Sequence, residues 1–312
     1  MENVMNTNGI TDARESLIRY LANGQTNQSK VAKEVGVSKT AISLFLKGTY
    51  TGNNTELAEK INQFLRMVTA RKAVIKKPGI CLDVGNTNDI LMRVKIAHMQ
   101  NDILLIYGPA GSGKTTALKH YSQQNNGVIY VEADGTIKNP HGILMLILST
   151  MGEDTKGTTA AMMQRLVRML TGTNRLIIID EAQHMTTKAF DVIRALNDKA
   201  GVGLVYAGNP DILRRMYGRQ EEELDQLYSR IGYKCALKNN YTKAEISGIF
   251  KGYNFDEACL DYLLKISKRK GGLRIMVNLC IKAQNFAVSI NEEFKTQHMD
   301  EVIKKDGIGG NI

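Results

Sequence analysis

Short apolar runs alternate with amphipathic stretches through the middle of the chain. Five runs have strand length: Ile103–Tyr107 (ILLIY), Val128–Glu132 (VIYVE), Leu176–Asp180 (LIIID), Gly203–Ala207 (GLVYA) and, roughly, Gly232–Leu237 (GYKCAL). Segments with helical spacing of apolar residues separate most of them, among them Thr115–Gln123, Gly142–Met151, Ala160–Leu170 and Thr187–Ala200. A strand with one wet face would alternate polar with apolar residues, and LIIID does not. Continuous apolar strands alternating with helices predict an α/β unit, with a five-stranded parallel sheet covered on both faces.

The flanks have other patterns. Residues 11–68 read as several short amphipathic helices with no strand signal, and residues 242–305 return to helices. Between the first block and the sheet, residues 69–82 carry Arg71, Lys72, Lys76 and Lys77, no acid, and Pro78-Gly79. That composition predicts a basic linker. The expected organisation is an all-α domain over 1–68, a linker over 69–82, the strand–helix core over 83–240 and a helical lid over 241–312. The tail DGIGGNI is expected to fray.

Within the first block, residues 28–47 (QSKVAKEVGVSKTAISLFLK) have the spacing of a helix-turn-helix. Ala32 lets two helices approach, Gly36 can take the turn conformation, and Ser38 suits the N-cap of the second helix. Val31, Val35, Val37, Ile42 and Phe45 would form the small core. The second helix would present Ser38, Lys39, Thr40 and Ser43 to a major groove. It offers no Arg, Asn or Gln for bidentate base contacts, so phosphate-dominated, weakly selective binding is expected. Residues 1–70 hold only eight basic and six acidic side chains. A helical module used for protein contacts fits the same pattern.

Composition narrows the function classes. The chain has 312 residues, 43% hydrophobic and 23% charged, which excludes a disordered polymer and suggests about two domains. No apolar run reaches the ~18–20 residues of a membrane span. The polar start lacks the features of a signal peptide, so the protein is expected to stay inside the cell, in the cytoplasm. Cys81, Cys235, Cys259 and Cys280 form no CxxC pair and the five histidines lack metal-ligand spacing, which argues against a zinc site or a disulfide framework. A net charge of +10 favours an anionic partner.

The chemistry begins directly after the first strand. Gly108, Pro109, Ala110, Gly111, Ser112, Gly113, Lys114, Thr115 and Thr116 spell GPAGSGKTT, a match to G-x-x-x-x-G-K-[ST]. Such glycines let backbone N–H groups turn inward around phosphate oxygens, and the following helix N-terminus adds its dipole. Lys114 would reach the β- and γ-phosphates of ATP, and the Thr115 hydroxyl would ligate Mg²⁺. LIIIDEAQ then ends a strand on two acids, 66 positions beyond Lys114. Asp180 is expected to hold the Mg²⁺ and Glu181 to polarise the attacking water. Asn209, closing GLVYAGN, could orient that water, although Asn209-Pro210 also starts turns well. Arg230 in LYSRI could stabilise transition-state charge at a neighbouring subunit, and Arg274 in GGLRI could fold onto the nucleotide.

The set GPAGSGKT, LIIIDEA, AGN, SRI and GGLR, in this order and followed by a helical lid, resembles the AAA+ ATPases. With the N-terminal module, it is similar more narrowly to the phage Mu transposition protein B family, related to the transposon ATPases TnsC and IstB. The resemblance implies a DNA-stimulated ATP hydrolase that forms helical filaments on duplex DNA. It implies delivery of target DNA to a transposase and stimulation of transposition. It also assigns Asn209 as sensor 1, Arg230 as the arginine finger and Arg274 as sensor 2.

Basic residues between the second and third strands, Lys138, Lys156 and Arg165, are candidate contacts to a duplex backbone in a ring or spiral, although taken singly ordinary surface charge is the commoner reading. With 6% aromatics and no Trp, no stacking platform for single strands is evident. Two alternatives stay open on the sequence: a helicase loader of the DnaC/IstB kind, and a helix-turn-helix transcription regulator with a nucleotide switch. A membrane-surface ATPase would fit the charge but finds no amphipathic lipid-binding stretch.

Overall fold

The computed structural model describes residues 2–22, 26–73, 77–217, 230–251, 253, 255–290 and 292–307. Residues 227–229 of LYSRI, 74–76 of the expected linker and 308–312 of the tail lie outside the described residues. The chain divides into two compact units, Met1–Lys76 and Lys77–Ile312.

The first unit is helical: α1 (Glu2–Ala22), α2 (Gln28–Val35), α3 (Lys39–Lys47) and α4 (Asn54–Ala73). Gly36 ends α2 at φ 78°, in the left-handed region where glycine is at home. Ser38 starts α3, its Oγ accepting the Ala41 N–H at 3.0 Å. Leu17, Val31, Ile42, Phe45 and Ile61 are fully buried between the helices, and Val35 and Val37 pack on that core. The helix α4 continues to Ala73 and so enters the stretch expected to be linker. Its Arg, Met, Ala and Lys residues are good helix formers, which outweighs the charge pattern.

The second unit begins with α5 (Gly85–Gln100). There follow β1 (Ile103–Tyr107), α6 (Lys114–Gln124), β2 (Val128–Glu132), α7 (Pro140–Thr150), α8 (Thr159–Leu170), β3 (Leu176–Asp180), a short 3₁₀ turn (Ala182–His184), α9 (Thr187–Ala200), β4 (Gly203–Gly208), α10 (Asp211–Tyr217) and β5 (Ile231–Ala236). Every pairing is parallel and the strand order is β2-β3-β4-β1-β5. Side chains of one strand point alternately to the two faces. Thus Ile177 and Ile179 pack with α7, α8 and α9, while Leu176 and Ile178 pack with α5 and α6. This double coverage is why LIIID carries no polar residue before its tip.

Four helices follow: α11 (Lys243–Ile249), α12 (Glu257–Ser267), α13 (Gly272–Ser289) and α14 (Thr296–Asp306). They have their own apolar core, including Phe250, Leu263, Met276, Leu279, Cys280 and Met299. Thr242 and Glu245 form a capping box at the start of α11. Among the described residues, no helix is long and apolar enough to cross a membrane.

Candidate nucleotide site

The turn after β1 is shaped by two glycines. Gly111 has φ 81° and Gly113 φ 93°, conformations that side chains other than glycine's rarely adopt. The turn feeds directly into α6, whose first N–H groups lack helical partners and face the loop. Lys114 bends back over it. Its Nζ donates to the carbonyls of Gly108 at 2.8 Å and Pro109 at 3.0 Å and to Ser112 Oγ at 3.3 Å. The residue is 8% exposed. Burial lowers the Lys114 pKa; the charges of Asp180 and Glu181 work against that shift and Arg274 adds to it.

Asp180 ends β3 and is fully buried. Its Oδ2 accepts the Tyr130 hydroxyl at 2.8 Å and its Oδ1 accepts the Glu181 N–H at 2.9 Å. Burial first, then the Asp180 charge, pushes the Tyr130 phenol far above its ordinary value, so Tyr130 is a fixed donor. Glu181 sits in the left-handed region at φ 52°. Its carboxylate accepts Gln183 Nε2, and Gln183 Oε1 accepts the Asn209 N–H at 3.1 Å. The Asn209 side chain itself accepts the Asp211 N–H at 2.8 Å and so starts α10. The turn-forming property of Asn209-Pro210 and its place beside the acids are therefore both present.

The C-terminal helices close on the loop. The Leu273 N–H at the start of α13 donates to the Gly111 carbonyl at 3.1 Å. A Cβ on Gly111 would lie 1.9 Å from the Gly271 carbonyl oxygen, so only glycine permits this approach. The result is one cavity of about 410 Å³, lined by residues 110–116, Glu181, Asn209 and Arg274. Its other end is apolar, built from Ile80, Val84, Ile249 and Val277. A polar, cation-bearing end joined to an apolar end suits a ligand with phosphates at one end and a flat base at the other. For Mg²⁺ the hydroxyl and carboxylate donors have the right chemistry: Thr115 lines the cavity, while Asp180 is fully buried at the tip of β3, two strands from β1, and does not itself line the cavity.

Several residues that line or brace the cavity were not evident from sequence. Residues 77–81, read as linker, line the cavity. Their partners Ile249 and Val277 are far along the chain, and no local pattern joins them. Asn86 donates to the Lys238 carbonyl at 2.9 Å, to the Tyr241 hydroxyl at 3.3 Å and to the Ser112 carbonyl at 3.4 Å, tying α5 to the phosphate-type loop and to the segment after β5. Tyr130 on β2 bonds Asp180 on β3, and Gln183 joins Glu181 to the backbone of Asn209.

Other candidates lie apart from the cavity. Arg230 precedes β5, and Ile231 pairs with Ile103 at the start of β1. The loop follows the far end of β1, about 16 Å along a five-residue strand. Arg230 is instead 3.6 Å from the Asp198 carboxylate, which also bonds Arg194 at 2.8 Å. Lys138 and Lys156 are exposed. The Arg165 guanidinium bonds the Asp154 and Lys156 carbonyls and pins its own loop. In the helical unit, Lys39 and Thr40 are exposed and Ser43 is half-buried on α3.

Comparison with known proteins bears on the same segments. Residues 97–216 match the model of the AAA domain, and residues 229–305 match that of the "Mu B transposition protein, C terminal". The chain is 27% identical over 300 residues to the "ATP-dependent target DNA activator B" of Escherichia phage Mu, covering 94% of this chain and 96% of that one. The protein of the same description from Escherichia phage D108 gives the same identity and coverage. The "Mu-like prophage FluMu DNA transposition protein B" of Haemophilus influenzae is 27% identical over 265 residues, 83% of this chain and 92% of that one. The loop, both acids and Asn209 lie in the first matched segment, Arg230 and Arg274 in the second. The chain is an AAA ATPase, similar along nearly its whole length to the Mu B transposition proteins.

Proposed function

We propose that this ATPase binds duplex DNA in an ATP-dependent, weakly sequence-selective manner, assembles along it, and activates it as the target of a transposase. The observation that carries the reading is the single cavity lined by the glycine loop, Glu181, Asn209 and Arg274, in a chain aligned almost end to end with ATP-dependent target DNA activators.

In this reading, the loop amides and Lys114 bind the phosphates, and Arg274 reaches them from α13. Bound Mg²⁺, held by Thr115 and Asp180, would neutralise charge on the β- and γ-phosphates. Glu181 accepts the proton of the attacking water and Asn209 orients that water. Arg230 serves a neighbouring subunit, because its own loop is a strand length away. Ser38, Lys39, Thr40 and Ser43 on α3, with Lys138, Lys156 and Arg165, are the candidate phosphate-backbone contacts. ATP favours assembly only in so far as the assembled state binds it more tightly.

Electron microscopy with random-sequence duplex DNA tests the reading. ATP-dependent filaments coating the DNA are expected, and Glu181→Gln should hold them on the DNA. Particles confined to one site, or binding indifferent to nucleotide, would refute it.

A further inference from the structure

We infer that Gln183 is a positioning residue, a single amide that couples the orientation of Glu181 to the loop carrying Asn209. The inference rests on the proposed role of Glu181 in activating water.

Gln183 is 8% exposed, and both ends of its amide are used. Nε2 donates to the Glu181 carboxylate, and Oε1 accepts the Asn209 backbone N–H at 3.1 Å. Only this orientation of the amide works. Turned over, it would set its NH₂ against a backbone N–H and its oxygen against a carboxylate. The local backbone makes the bridge possible. Glu181 at φ 52° followed by the 3₁₀ turn Ala182–His184 brings two side chains, two residues apart, to one side. On the facing strand, a Cβ on Gly208 would lie 2.4 Å from Gln183 Oε1. The absence of a side chain at Gly208 is what admits the amide.

Glu181 and Asn209 both line the nucleotide cavity, while Gln183 does not reach it. A shift of the Asn209 backbone when the loop engages the γ-phosphate therefore moves the acceptor end of the amide, and with it the donor that fixes Glu181. Gln183 thereby sets when the carboxylate is aimed for attack, without touching the substrate itself.

Three variants test this by ATP turnover with KM and kcat separated. Gln183→Leu removes both hydrogen bonds. Gln183→Glu keeps the acceptor for Asn209 and loses the donor for Glu181. Gly208→Ala displaces the amide without altering it. Each is expected to lower kcat roughly 10–100-fold with KM for ATP within about twofold. In the Glu181→Gln background, none should lower turnover further. A kcat within twofold of wild type for Gln183→Glu and Gly208→Ala would overturn the inference while leaving the role of Glu181 intact. Equal losses in kcat and in ATP affinity would overturn it too, since a purely structural residue behaves so. Full turnover by Glu181→Gln would instead remove the reading on which it rests. Should Gln183→Leu fail to fold, the other two variants decide.

Discussion

Substituting alanine at Gly111 and at Gly113 separates two roles that the loop glycines combine. Both have φ near 80–90°, where an alanine costs about 1–2 kcal/mol. Around Gly113 a Cβ would meet nothing within 4 Å. At Gly111 it would lie 1.9 Å from the Gly271 oxygen and 2.7 Å from the Gly271 carbonyl carbon, against 3.4 Å for ordinary contact. Those are backbone atoms, so the start of α13 must retreat by more than an ångström, and the bond from Leu273 to Gly111 is lost. That bond adds about 0.5–1.5 kcal/mol. Gly113→Ala should therefore destabilise the nucleotide-free protein by about 1–2 kcal/mol and Gly111→Ala by about 2–4 kcal/mol. Urea denaturation without nucleotide, following the transition of the ATPase unit, reads the difference. Equal losses for the two variants would show that the lid does not rest on the loop.

Other expectations follow from the same contacts. Burial pushes the Tyr241 phenol up to about 12, with the Asn86 hydrogen bond working against the shift. The folded pKa is raised above the ordinary ~10, so this stabilisation is intact below pH 10 and is lost as pH rises toward 12. Tyr241→Phe should flatten the alkaline fall in stability; an unchanged slope between pH 10 and 12 would contradict the assignment. Ser38→Ala removes the α3 cap and should cost the helical unit about 1 kcal/mol in its own unfolding transition; no loss would mean that the cap contributes nothing. Arg230→Ala and Lys114→Ala, each inactive alone, should regain turnover when mixed with DNA, because the second variant supplies an arginine to the first; a mixture as inactive as its parts would argue against action in trans.

The central strands were legible because both their faces are covered, leaving no ambiguity of period. The edge strand β5 was placed only roughly. Its residues alternate in exposure, and its pairing with β1 shifts register between Ile103 and Leu104. That residues 110–116 share one cavity was equally legible, since glycine, lysine and hydroxyl are adjacent in sequence. The apolar end was not. It joins residues 77–81 to Ile249 and Val277, and each looks like linker or core where it stands. Gln183 was visible as a letter in DEAQ, but its meaning depends on Gly208, which reaches it only through the pairing of β3 with β4.

The parallel sheet makes the subunit a vector. Its nucleotide cavity opens beyond the C-terminal ends of the strands, and Arg230 stands at their N-terminal ends. Contacts that bring the arginine of one copy to the cavity of the next are head-to-tail, so they propagate and need not close. In an open row one terminal cavity lacks an arginine and one terminal arginine lacks a cavity. Completed sites then number one fewer than subunits. Turnover per subunit would be nil for a monomer, half-maximal for a pair, and would approach its ceiling only in long rows. If subunits assemble on DNA as proposed, hydrolysis would report the length of the row, and the DNA that gathers them would set the clock for its own release.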